Sequence, residues 1–338
     1  MSVPSRPTAR TILARAVRSG LRRYPRELWA TLRAPGAASE TKRRGLQTGL
    51  VKAWRKIERE PAASGAAVAW LGHCTVLIRL AGRTILTDPV LAERVGFKVG
   101  GRTIGLSRMC PSPVDAKHLP TIDLVLLSHA HFDHLDKPTL RQIASKETVV
   151  VTAAKTRRLV PPGFKRVIEI GWGDTAEIDG LRLTAIRPRH WGARAVWDHH
   201  RGYNAYVIEA AVPEGAGPWQ EAGVQAGPAP RPAPRIFFAG DTAMTDRFAH
   251  LSEHPIDLAV FGVGAYAPWE HAHATPEQVW AMFTQIGAAR LLAVHHSTFD
   301  MGEEGPGEPM QRLHAAAAAA GRGPAILDVP AGRVVRLG

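Results

Sequence analysis

Long apolar runs are missing from this sequence. No stretch reaches the roughly eighteen consecutive apolar residues that a membrane-crossing helix needs, so no span is expected. No short apolar core follows the first arginines in the manner of a secretory leader. Cysteine is scarce as well. Cys74 and Cys110 are the only two and stand in no CxxC or zinc-ribbon spacing, which argues against a disulfide framework and a thiolate zinc site. They read as reduced, packed residues of a cytoplasmic protein. A Gly-rich phosphate loop, a Ser-His-Asp nucleophile order and a repeat of solenoid length are likewise absent. Positive charge is plentiful but local. Of a net +13, residues 1–60 hold 15 Lys and Arg against 4 Glu, a balance of +11, and the remainder is close to neutral. The basic character therefore belongs to the N-terminal segment and says little about the body.

At 338 residues, 45% hydrophobic and 22% charged, the chain has enough apolar material for a sizeable core. Residues 1–62 form one compositional unit. Leu13, Val17, Leu21, Tyr24, Leu28 and Leu32 recur at helical spacing between arginines, and Pro25 kinks or divides that helix. PAASGAA (Pro61 to Ala67) reads as a linker to a body at residues 63–338. There the pattern turns to short strands: AVAWLGH, TVLIRLAG, RTILTDP, DLVLLSH, TVVVTA, RVIEIGWGD, EIDGLRLTAIRP and NAYVIEA. RIFFAGD, IDLAVFGVGA and RLLAVHH follow, each ending in a polar residue. Helices are expected after Lys137, from Thr275 and around Glu308 to Ala320. The second opens with a capping box, Thr275-Pro-Glu-Gln278. Ala210 to Arg235, rich in Pro, Gly and Ala, reads as a loose surface insertion. Strands with few helices and polar strand ends predict two sheets packed face to face with helices outside.

The densest chemistry lies in LLSHAHFDHLD, Leu126 to Asp136. Three histidines and two carboxylates occupy eight residues directly after an apolar run. The preceding TIDLVLLS reads as a buried strand, so the polar cluster stands at its carboxyl end, where α/β proteins collect ligands. Imidazole and carboxylate without thiolate suit Zn, Fe or Mn. Each such ion takes at least three protein ligands, so His129, His131, Asp133 and His134 call for partners from elsewhere. His190 in RPRHWG, Asp241 in FFAGDT and His295 in LLAVHHS each close an apolar strand. Read singly, His190 is a packed histidine and Asp241 a turn cap. The HxHxDH cluster gives them weight together.

The order of these motifs resembles the metallo-β-lactamase superfamily, and within it the branch of N-acyl-phosphatidylethanolamine-hydrolysing phospholipase D. WLGHCTVLI, ILTDPVL, LPTIDLVLLSHAHFDHLD, HWGAR, FFAGDT, GAYAP and AVHHSTF carry the likeness, over about residues 68 to 300. It implies an α/β fold, a four-layer αββα sandwich, here with a basic helical N-terminal extension. It also implies a dinuclear zinc hydrolase, with Fe or Mn as other metals. His129, His131 and His190 are then the ligands of one ion, Asp133, His134 and His295 those of the other, and Asp241 bridges both. His296 is the rival of His295. Asp88 in LTDP matches a position that orients the metal loop, His273 in HAHATPEQ one that faces the reacting group, and His271 is its solvated neighbour. The segment between Pro268 and His273 is shorter than that family's and lacks its apolar and Arg character.

The chemistry implied is a phosphodiesterase of phospholipase D type, acting on an N-acylphosphatidylethanolamine-like lipid or a related small phosphodiester. Two ions about 3.5–4 Å apart activate a shared water, and Asp241, Asp133 and His273 are the catalytic candidates. A lactonase or phosphosugar esterase is the runner-up. A mononuclear iron oxygenase would need the Asp133/His134 side empty. Nucleic acid fits poorly, since the basic residues are not interleaved with aromatic platforms around the site. Residues 1–60 read as an arm for an anionic membrane surface, a transit peptide or a docked helix. The expected location is cytoplasmic and peripheral at a membrane, and a homodimer is admissible.

Overall fold

The computed structural model describes residues 37–61, 65–194, 198–211, 234–305 and 307–337. The Leu13–Leu32 stripe and most of the Ala210–Arg235 insertion lie outside them. The chain opens with helix α1 (Ala37–Glu58) and strands β1 (Ala66–Trp70), β2 (Val76–Leu80) and β3 (Arg83–Thr87). A hairpin, β4 (Arg94–Val99) and β5 (Arg102–Ser107), precedes β6 (Leu124–Leu127), α2 (Lys137–Ile143), β7 (Val149–Ala153) and β8 (Arg166–Ile170). These strands, with β15 (Val334–Leu337) at one edge, make a seven-stranded sheet in the order β15-β1-β2-β3-β6-β7-β8, the hairpin standing apart. The second sheet has six strands: β9 (Thr175–Ile178), β10 (Leu181–Ile186), β11 (Ala205–Ala210), β12 (Ile236–Phe238), β13 (Leu258–Gly262) and β14 (Arg290–Val294). Helices α3 (Pro276–Gln285) and α4 (Glu308–Ala319) belong to this half.

Local chemistry accounts for several of these boundaries. EIDGLRLTAIRP is two strands, β9 and β10, because Asp179 and Gly180 turn the chain at φ 49° and 86°. Asp-Gly at two positive φ angles is a hairpin signal whose twist matches the flanking strands. The α3 capping box forms as expected. Thr275 accepts from the Gln278 backbone, and the Gln278 side chain accepts from the Thr275 backbone. The expected linker gives way at its far end, where Ala66 and Ala67 already pair with Leu337 and Arg336 in β15.

Side-chain alternation builds four layers. Along β12, Ile236 and Phe238 face the core between the sheets, while Phe237 faces the outer layer. In β13, Leu258 and Val260 point inward and Ala259 and Phe261 outward. The outer residues pack against Val279, Phe283 and Leu313 of α3 and α4. The first sheet repeats the scheme, with Leu124 and Leu126 inside and Val125 and Leu127 outside. That outer layer includes Leu50 and Trp54 of α1, and Trp54 is only 1% exposed. The result is the αββα sandwich, and the second half of the basic segment is a helix docked on the body. No helix among the described residues is long and apolar enough to cross a membrane. Strands β3, β6, β7 and β8 run parallel, as do β12, β13 and β14. Their carboxyl ends therefore open at one rim.

Candidate metal centre

Every residue named as a ligand from the sequence comes from a loop that leaves a strand end at this rim. His129, His131, Asp133 and His134 follow β6, His190 follows β10, Asp241 follows β12 and His295 follows β14. Two overlapping groups result. His129, His131, His190 and Asp241 form one, Asp133, His134, Asp241 and His295 the other, with donor atoms in each within 4.8 Å of one another.

In the first group each imidazole turns one nitrogen inward; the other is tied to the protein in His129 and His190 and is buried without a partner in His131. Ser128 Oγ lies 2.9 Å from His129 Nδ1, and His190 Nδ1 donates to the Ala272 carbonyl at 3.0 Å. The inward nitrogens crowd together: His129 Nε2 is 2.8 Å and His190 Nε2 3.4 Å from His131 Nδ1. Ligands held about 2.0–2.1 Å from a tetrahedral ion sit roughly 3.3 Å apart, so this spacing fits a cation at the centre. Burial pushes the His129 pKa well below its ordinary value, that of His131 down to about 3, and that of His190 downward. All three are thus neutral, the form that ligates metal.

In the second group Asp241 Oδ2 lies 3.1 Å from His134 Nε2 and 3.3 Å from His295 Nε2. Asp133 Oδ2 is 3.3 and 3.6 Å from the same two nitrogens. Neither nitrogen, nor Asp241 Oδ1, has a hydrogen-bond partner, although all are buried. Buried polar atoms are normally satisfied, so inward-facing orphans mark a binding site. Burial opposes charge here, yet the His134 charge holds Asp133 well below the usual carboxylate range, and His134 and His295 do the same for Asp241. Conversely, against the burial penalty, Asp241 and Asp133 raise His134 well above its ordinary pKa and His295 to about 9. Carboxylates and imidazoles thus favour each other's charged forms, and a bound cation would take the place of imidazole protons. The buried Cys74 thiol lies within the same span, but burial raises its pKa and keeps it protonated.

Supporting residues surround these groups. Asp88 accepts from the Ser128 backbone at 2.7 Å and holds His134 Nδ1 at 2.6 Å, which leaves His134 Nε2 for the centre. His273 Nδ1 stands 3.8 Å from Asp241 Oδ2, and burial holds its pKa well below the ordinary value. His296 turns away and stacks on Trp70 at 4.7 Å. His271 is half-buried, with its ring 6.2 Å from that of Trp269. Sequence reasoning passed over His73, whose Nε2 meets Asp133 Oδ2 at 2.8 Å. It also passed over Arg194, which donates to the carbonyls of Ala130 and Leu135 and so clasps the metal loop. His73 lies in a turn without spacing to any ligand, so only its place in WLGHCT marked it. The rim itself is aromatic. Trp191, 48% exposed, meets His131 at 5.0 Å, and Phe97, 53% exposed, leans on Phe132 at 4.6 Å.

Comparisons with known proteins identify the family and the fold. The β-lactamase superfamily domain matches residues 83–296. An uncharacterised protein of Mycobacterium tuberculosis is 31% identical over 272 residues, covering 75% of this chain and 65% of that protein. N-acyl-phosphatidylethanolamine-hydrolyzing phospholipase D 1 of Caenorhabditis elegans is 29% identical over 258 residues, 71% of this chain and 66% of that protein. The chain spans just under two thirds of the length of either relative. Among solved structures, isothiocyanate hydrolase from Delia radicum gut bacteria shares the fold. Its TM-score is 0.60 at 18% identity, over 80% of this chain and 99% of that one.

Proposed function

The chain belongs to the β-lactamase superfamily, and on that premise we propose that it is a metal-dependent hydrolase with a dinuclear, zinc-type centre that cleaves a phosphodiester of the N-acylphosphatidylethanolamine kind. The observation that carries the reading is the position of Asp241 Oδ2. It lies 3.9 and 3.8 Å from His129 and His190 Nε2, and 3.1 and 3.3 Å from His134 and His295 Nε2, so one carboxylate serves both groups. His129, His131 and His190 would hold one ion and Asp133, His134 and His295 the other. Bound there, two divalent cations supply Lewis-acid chemistry, polarising an ester oxygen and bringing the pKa of a water toward neutrality.

The remaining work falls to the chain. Asp133 and Asp241 offset only half of the charge of two divalent cations, which favours an anionic phosphodiester over a neutral ester. Asp241 Oδ1, buried without a partner, is placed to accept a proton from the attacking water. His273 is held neutral by burial and offers a hydrogen bond, not a charge, to the departing oxygen. Trp191 and the Phe97–Phe132 pair give the apolar part of a lipid a surface beside the reacting atoms. The name of the Caenorhabditis elegans relative supports the same substrate class.

The test is metal analysis joined to a substrate screen. Metal-free protein reloaded with Zn²⁺ should take two ions per chain and hydrolyse a soluble aryl phosphodiester faster than a lactone. Preference for the lactone would transfer the centre to ester opening. One iron per chain with oxygen-dependent turnover would replace hydrolysis with oxygenation.

A further inference from the structure

We propose that His73 is the positioning residue of the second donor group, fixing Asp133 through its side chain and His295 through its backbone, and so setting the cation affinity of that group and not of the first. The proposal rests on the two-group reading of the centre, and its test separates the two.

His73 stands in the turn between β1 and β2, and its residue is 1% exposed. The 2.8 Å between its Nε2 and Asp133 Oδ2 is the length of a charge-assisted hydrogen bond. An ionised carboxylate only accepts, so Nε2 donates and the ring is fixed as that tautomer. This pins one Asp133 oxygen, which also lies 3.3 Å from His134 Nε2 and 3.6 Å from His295 Nε2.

The backbone of His73 is equally committed. Its φ is 51°, a left-handed conformation uncommon for any residue with a side chain. Three hydrogen bonds hold it there. The His73 N–H donates to Thr298 Oγ1 at 2.7 Å, and the His73 carbonyl accepts from Trp70 Nε1 at 2.8 Å and from the His295 N–H at 3.1 Å. The last bond ties the start of the His295 loop to this turn, and His295 itself has φ 62°. The ring of His73 tilts against that of His295 at 4.1 Å and meets His134 and Phe299 at 5.3 Å each. These contacts reach Asp133, His134 and His295, the second group. His129, His131 and His190 are not among them. With the donor gone, the Asp133 carboxylate loses its shortest tie, while the first group keeps its own ties through Ser128 and Ala272.

The experiment is a Zn²⁺ titration of the full-length, metal-free protein against a chromophoric chelator, which resolves two stepwise constants. His73→Phe fills the space but cannot donate. It should leave the tighter or looser constant belonging to the first group within about threefold and weaken the other about 10–100-fold, the range for loss of a partner that orients a ligand. His73→Gln restores a donor at similar reach and should recover most of that loss. His73→Asn tolerates the left-handed backbone but its amide is too short for Asp133, so it should behave as His73→Phe does and replaces it if the phenylalanine variant does not fold. Two unchanged constants in His73→Phe, two constants falling together, or no recovery in His73→Gln would each overturn the positioning role. Wild-type protein that takes a single ion overturns the two-group reading itself, and this proposal with it.

Discussion

Asp88 and His134 meet at 2.6 Å, carboxylate Oδ2 against imidazole Nδ1, with both side chains fully buried. Asp88 also receives the Ser128 backbone N–H at 2.7 Å and the Ser128 hydroxyl at 2.5 Å, so one carboxylate orders both the strand end and the metal loop. Asp88→Asn removes the charge that holds the Nδ1 proton and lets His134 present either tautomer. Zinc affinity should fall about 10–100-fold, read by chelator competition, with far-UV circular dichroism unchanged. Unaltered affinity would show that Ser128 alone orients the loop.

His295 and His296 should separate cleanly. His295 Nε2 lies 3.3 Å from Asp241 Oδ2, whereas His296 stacks on Trp70. His295→Ala is expected to release one ion per chain. His296→Ala should keep both and cost about 1 kcal/mol of stability from the lost ring contact, measured by urea unfolding. The reverse pattern of metal content would mean that the neighbours have been exchanged.

Removing Asp241 should be the most damaging single change, because its carboxylate serves both groups. Asp241→Asn is expected to lose most hydrolytic activity and to weaken both ions. Chelation of the wild-type protein should lower the melting temperature reversibly, since an ion at a thousand times its Kd stabilises the folded state by about 4 kcal/mol. An active Asp241→Asn protein would show that the carboxylate is not shared.

The N-terminal segment divides into two roles. Trp54 and Leu50 of α1 are buried in the outer layer of the first sheet, so Trp54→Ala should cost about 3–5 kcal/mol. A protein beginning at Ala37 should fold, bind metal and turn over a soluble diester normally, while one beginning at Ala66 should be strongly destabilised. We propose that the basic residues before Ala37 deliver the enzyme to an anionic membrane. Each Lys or Arg near such a surface contributes about 1 kcal/mol, screened over about 8 Å at physiological salt. Full-length protein should therefore bind anionic vesicles at low salt, and the protein beginning at Ala37 should bind them less. Equal binding by both would remove the membrane role from those residues.

Acid should loosen the contact between α3 and α4. Two Arg312 nitrogens bond Glu277 at 2.8 Å each, and this pairing holds the Glu277 pKa down to about 2. A carboxyl lowered by folding contributes stability above its unfolded pKa, about 4.5, and that contribution fades as pH falls toward 2. Arg312→Ala should lower the free energy of urea unfolding at pH 7 by no more than about 1 kcal/mol, as suits a largely exposed pair, and by less at pH 3. A larger deficit at pH 3 than at pH 7 would give Arg312 a different partner.

The sequence announced its strands more clearly than their boundaries. TIDLVLLS and RIFFAGD are continuous apolar runs, and such runs bury whichever face they present. β6 and β12 accordingly form there. The split of EIDGLRLTAIRP at Asp179-Gly180 was present as a turn signal within an apolar pattern. The hairpin β4–β5 interrupts its apolar residues with Arg, Lys and Gly, and the edge strand β15 is one short run, VVRL. Their pairing partners are supplied by the fold.

HxHxDH, the polar residue at each strand end and the Thr275 capping box were all written in local sequence, because each depends on neighbours a few positions away. Packing decided the rest. Whether Phe237 or Phe238 faces the inner core depends on which sheet lies opposite, and period-two alternation is silent on that choice until the sheets meet. The Asp133 partner His73 is 60 positions away in the chain, and His129, His190 and His295 stand 112, 51 and 54 positions from the carboxylate on which they converge. Such contacts arise only when parallel strands bring their carboxyl ends to a common rim. The residue types were set by the sequence, and their distances by the sandwich.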